Sequence, residues 1–173
     1  MFVLSRDQTA QAVLPFDKNQ FADELAKQQI NQLYYSGQTG AGDELALSAQ
    51  SAVEGFDGQK MLEMRAVSAS IKGKNGLEIE ATAQFGQYLY SEKLLKMTGA
   101  VLISSSSGYK LSSPELRILT DGTYIFGEGP IEGLSPMGKI YAGKMEIMRK
   151  NAKAPMQLWF GEKVVLDYEP SEI

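Results

Sequence analysis

Apolar and polar side chains alternate along most of this chain, and a glycine resets the pattern about every thirty residues. After Gly76, the residues Leu77, Ile79, Ala81 and Ala83 alternate with Glu78, Glu80 and Thr82. A period of two places the first set on one face of a strand and the second on the other. Phe85-Gly86-Gln87 then reads as a turn, and a return strand carries Met97, Val101 and Ile103 with Gly99 among them. The unit recurs. Gly42 precedes Leu45, Leu47 and Ala49; Gly108 precedes Tyr109, Leu111, Leu116 and Ile118; Gly138 precedes Ile140, Ala142, Met145 and Ile147. These opening glycines stand 34, 32 and 30 residues apart, and Gly99, Gly129 and Gly161 of the return strands stand 30 and 32 apart. Such a period marks stacked supersecondary units, none of which buries its apolar face alone. A hairpin-rich protein without a true repeat is the plainer alternative.

The alternation also slips. Ile79 and Ala81 give way to Tyr88 and Tyr90 across Gly86. Tyr109 and Leu111 give way to Leu116 and Ile118 across Pro114, and Ile140 and Ala142 to Met145 and Ile147 across Gly143. A change of parity at Gly or Pro is how a β-bulge or a sheet corner shows in sequence. Strands that bend at matching places predict an all-β sandwich, jelly roll or solenoid rather than a flat meander.

The N-terminal part differs. Met1 to Arg6 reads either as the end of a removed membrane anchor or as a short apolar terminus. Residues 5–16 read as a linker. Asp17 to Ile30 is the one helical stretch, with Asp17 as a cap and Phe21 and Leu25 four apart. The expected division is therefore a linker and short helix over 1–34 and a β domain over 35–173, a length that suits one domain. No apolar run reaches the roughly 18–20 residues of a membrane span, and no signal peptide is visible.

Few chemistries fit the composition. The chain has no histidine and no cysteine, so Ser-His-Asp and Cys-His centres are ruled out. Zinc would have to be held by carboxylates alone, and no metal site is expected. Asp121-Gly122-Thr123 reads as a hairpin turn rather than an acidic catalytic motif, and Ser104 to Ser107 as another turn. Gly127-Glu-Gly129-Pro lacks the lysine and helix of a phosphate loop. A net charge of −4 argues against general nucleic-acid binding. The cations nevertheless cluster: Lys72, Lys74, Lys93 and Lys96 flank the organising stretch, and Lys144, Arg149, Lys150 and Lys153 follow the last repeat. They read either as contacts to an anionic headgroup or as solvated loops and protected sheet edges.

The order of the motifs carries a resemblance. It runs from Leu4-Ser-Arg6 through Leu45-Ala-Leu47-Ser-Ala49, Leu77-Glu-Ile79-Glu-Ala81 and Met97-Thr-Gly99-Ala-Val101. Gly129-Pro-Ile131-Glu-Gly133, Gly138-Lys-Ile-Tyr-Ala142-Gly143-Lys-Met145 and Phe160-Gly161 follow. Over nearly the whole chain this resembles the LptC family of lipopolysaccharide export proteins. The resemblance implies an open-ended β-jelly roll at the periplasmic face of the bacterial inner membrane, held in the full-length protein by a single membrane helix and soluble without it. It implies no enzyme activity and no cofactor. The partners it implies are lipopolysaccharide, the inner-membrane lipopolysaccharide ABC transporter and an LptA-like periplasmic protein that continues the sheet, with a homodimer of the soluble part as a further possibility.

On that picture the inward faces of the strands line a trough for the acyl chains of lipid A. Its candidates are Leu77, Ile79, Ala81, Val101, Ile103, Leu111, Ile118 and Ile140. Small and flexible apolar side chains leave space there that large aromatics would fill. Leu45, Leu47 and Ala49 would form the edge nearest the membrane, and Val164, Val165, Leu166 and Tyr168 the distal edge, both available for strand addition. From alternation alone an ordinary closed core is the competing reading. The rival function is a jelly-roll scaffold that joins partners at its edges and carries no lipid.

Overall fold

A computed structural model describes residues 30–55, 60–151 and 153–168 of the chain. The described residues form ten strands: β1 (Ile30–Gln38), β2 (Glu44–Gly55), β3 (Met61–Lys72), β4 (Glu78–Leu89), β5 (Leu94–Ser105), β6 (Lys110–Leu119), β7 (Tyr124–Ser135), β8 (Gly138–Met148), β9 (Gln157–Gly161) and β10 (Val165–Tyr168). From β1 to β8 each pairs antiparallel with the next. Beyond β8, β10 pairs with residues 138–141 and β9 with residues 144–148, so the two short strands lie end to end along one edge. No helix among the described residues is long and apolar enough to cross a membrane.

The thirty-residue period is one strand out and one strand back. Gly42, Gly76, Gly108 and Gly138 sit in the turns that begin β2, β4, β6 and β8, each at positive φ. Glycine adopts that backbone without the steric cost of a Cβ. The parity slips are bends inside continuous strands. The register shifts between Thr82 and Phe85 in β4, Thr98 and Val101 in β5, Ser112 and Glu115 in β6, and Glu128 and Ile131 in β7. Gly99 (φ 80°) is followed by Ala100 (φ 49°), and Gly129 (φ 95°) by Pro130. Together these bulges form a line across the sheet, along which it folds over.

The line divides the sheet into two facing halves. The first holds residues 44–49, 67–72, 78–83, 101–105, 110–113 and 131–142 with β10; the second holds 51–55, 61–65, 85–89, 94–98, 115–119, 124–128 and 144–148 with β9. Contacts between them close the fold. Tyr109 at the head of β6 packs on Phe160 of β9 with ring centroids 6.2 Å apart. A Cβ on Gly122, in the β6–β7 turn, would lie 3.2 Å from Ile71 Cδ1 of β3. The inward side chains of both halves form one apolar core, with Leu62, Val67, Met97, Val101, Leu116, Ile131 and Met145 fully buried. The described residues are thus all-β, ten antiparallel strands in one open sheet rolled into a β-jelly roll.

Three sequence expectations change. The helix over Asp17 to Ile30 lies outside the described residues except at Ile30, which opens β1; that strand also takes residues 31–34, assigned above to the linker. Leu33 is its buried anchor. Phe85-Gly86-Gln87 is not a turn: β4 runs through to Leu89 and the chain reverses after Tyr90. Gly86 is buried there, where a Cβ would meet Val67 Cγ2 at 2.8 Å, so its role is to let β3's side chain pack close. Leu45, Leu47 and Ala49 are not an edge. They are buried in β2 between β3 and β1, with Tyr35 opposite Leu47 and Leu33 opposite Ala49. The edge on that side is β1, whose alternation is interrupted at Gln32 (φ 64°) and left too little pattern to be seen.

Candidate functional site

Antiparallel register carries rows of apolar residues across the sheet, buried through its central strands. In the first half, Leu47, Ala69, Ala81, Ile103, Leu111, Gly133 and Ile140 are successive cross-strand partners, continued by Tyr35 at β1 and Leu166 at β10. In the second half the matching row is Ala52, Met64, Gly86, Met97, Leu116, Gly127, Met145 and Phe160. Branched aliphatics and alanines thus face a methionine-rich row. Methionine is unbranched and re-packs against differing shapes more readily than any other apolar side chain.

The structure brings the trough candidates together as inward residues, though not all in one row. Ala81, Ile103, Leu111 and Ile140 share the row described above. Ile79 and Val101 lie in flanking rows of the same half, and Ile118 belongs to the opposite half, between Leu95 and Ile125. All seven are buried and in contact with the same core. Leu77 stands apart, half-buried just before β4 at one mouth of the roll. Met64, Met97 and Met145 were missed as members of this surface. For Met64 and Met145 the bend reverses the parity of the strand and hides the match with the first half; Met97 keeps the parity of Val101 and Ile103, so alternation alone could have shown it.

The mouth beside Leu77 is closed by an ion pair. Asp43, in the turn before β2, bonds to Arg149 just after β8, and both side chains are over nine-tenths buried. The Thr39 hydroxyl also donates to Asp43 Oδ2 (3.2 Å), while the Asp43 amide donates to Thr39 Oγ1 (3.1 Å). A cavity of about 440 Å³ opens over this pair, bounded by the β3–β4 turn on one side and residues 153–156 on the other. On the β1 side, burial pushes the Tyr88 phenol above its ordinary value, partly offset by a hydrogen bond with Thr120. Burial, with Glu54 and Tyr88 nearby, pushes Tyr90 up to about 12. The two rings meet edge to face at 5.1 Å.

The two edges differ. Among the described residues β1 pairs on one side only, with β2, and it exposes Tyr34. At the other edge Val164, Val165, Leu166 and Tyr168 are all exposed, with Trp159 of β9 beside them in sequence order. Among the described residues Val165–Tyr168 is therefore the outer strand on this side. A free edge of this kind presents backbone donors and acceptors to a further strand.

The described residues form an open, rolled sheet with one apolar interior, the β-jelly-roll class of fold. Within that class the chain has a definite place. The family model for lipopolysaccharide-assembly, LptC-related proteins matches residues 44–157, about two-thirds of the chain. The chain belongs to the LptC family and has a role in lipopolysaccharide transport. Comparison with curated proteins gives no significant match. The matched segment spans β2 to the first residue of β9, so both outermost strands, β1 and β10, lie beyond it.

Proposed function

We propose that this chain carries lipopolysaccharide by taking its acyl chains between the two half-sheets, at the periplasmic face of the inner membrane. It bridges the ABC transporter and an LptA-like protein, with β1 as the transporter-side edge and β9–β10 as the distal one. It performs no catalysis, and the transporter supplies the energy. The observation that carries this reading is the apolar row from Tyr35 to Leu166, which runs unbroken by charge across nine strands. An isolated core needs no such continuity, whereas a ligand passed along the sheet does.

The interior is close-packed, so acyl chains enter only if the halves part at the side opposite the bend. That packing also favours a second reading, a scaffold that joins partners through its edges and carries no lipid. Spin labels separate the two. The chain has no cysteine, so labels at Asn75 and Lys150, both exposed and on opposite sides of the closed mouth, are unambiguous. Lipopolysaccharide should lengthen the distance between them. A distance unchanged with lipopolysaccharide bound supports the scaffold.

A further inference from the structure

Two groups of cations far apart in sequence meet at one mouth of the roll. Lys74 comes from the β3–β4 turn, and Arg149 and Lys153 from the segment after β8; all three line the cavity of about 440 Å³ that also includes Asn75 and Asp43. Lys74 and Lys153 are exposed and form no ion pair among the described residues. Arg149 is different. Its side chain is only 7% exposed, Asp43 holds Nη2, and Nε is buried without a hydrogen-bond partner. Buried donors without an acceptor are rare in folded proteins, and each calls for one. With Asp43 as the sole carboxylate on the cavity wall, the formal charge there is +2.

We propose that this mouth binds a phosphoryl group. A phosphate offers several acceptor oxygens, enough to engage Nε of a fixed guanidinium and two flexible ammonium groups together. The guanidinium is already oriented by Asp43, so little freedom is lost on binding. Lys74 and Lys153 sit on opposite walls and close over the ligand from either side. Leu77 and Met156 make the remaining wall apolar and join the mouth to the core. The site therefore suits a phosphate attached to an apolar body as well as free phosphate. The inference rests on the lipid-carriage reading only for the source of the phosphate, not for the site.

The test is an amide chemical-shift titration of the full chain with inorganic phosphate, then with lipopolysaccharide before and after enzymatic removal of its phosphates. Phosphate should give saturable shifts at residues 41–43, 73–77 and 149–154. The K74Q/K153Q variant, altered only at exposed positions, should bind about tenfold more weakly or worse, the scale of one lost charge-assisted hydrogen bond. Lys110→Gln, on another part of the surface, should leave binding unchanged. Shifts spread over all exposed lysines, or equal affinity in K74Q/K153Q, overturn the site. A lipid source predicts that dephosphorylated lipopolysaccharide loses these shifts. If it keeps them while free phosphate still saturates the site, the lipid source is overturned and the phosphate site stands. Failure of lipid to enter the roll leaves the phosphate titration intact, so the two proposals fail separately.

Discussion

Asp43 and Arg149 are 106 residues apart and make the buried ion pair at the seam. Removing one partner of such a pair leaves an uncompensated charge in the interior, typically at a cost of about 3–5 kcal/mol, whereas replacing both by apolar groups is often nearly neutral. Asp43→Leu alone should therefore destabilise the chain strongly, and D43L/R149M should recover most of the loss in denaturant unfolding. Additive losses would contradict the pairing. Tyr90 gives a second prediction. Its folded-state pKa, about 12, lies above the ordinary phenol value of 10.0 because burial disfavours the phenolate. That contribution is whole below pH 10 and is lost as pH rises through about 12. The stability advantage of the native chain over Tyr90→Phe should shrink across that window; parallel alkaline profiles would contradict it. The ion pair itself was not legible in the sequence. Arg149 stood in a recognisable cation cluster, but a pair spanning 106 residues leaves no spacing signal.

Strands and turns were much more legible, because alternation and punctuation are local. The repeat glycines gave the hairpin turns, and Pro114 and Gly143 marked bends where the structure has them. Gly86 misled because glycine has two uses: it can turn a chain, or it can let a neighbour pack against bare backbone. Sequence alone does not choose, and here Val67 occupies the space. The edge on the β1 side was misplaced by one strand for a related reason, since β1 holds a single buried residue, Leu33, and little alternation. At the opposite side Val164 to Tyr168 showed as a short apolar run after the last long strand, and β10 is the outer strand there among the described residues. Proline there removes a backbone donor from an edge strand. Val165→Pro should lower affinity for an LptA-like partner while thermal stability changes little. Unchanged affinity would mean that this strand is not the docking edge.

At the scale of the molecule, the proposed carriage would run along the apolar row of the open sheet, and the Asp43–Arg149 pair at the mouth is what would have to part. The trough candidates were legible as an inward face, since parity assigns faces. Whether that face encloses space was not, because closure depends on how two bent halves meet, which no local pattern records. The structure shows them meeting in contact. Internal carriage therefore requires a roll that opens, with the methionine row re-packing around the ligand. The most direct test is photo-crosslinking to lipopolysaccharide from Ile79, which is buried in the interior, and separately from its outward neighbour Glu80. Internal carriage predicts adducts at Ile79 and none at Glu80. Equal crosslinking at both, or none at either in a folded chain, would contradict it.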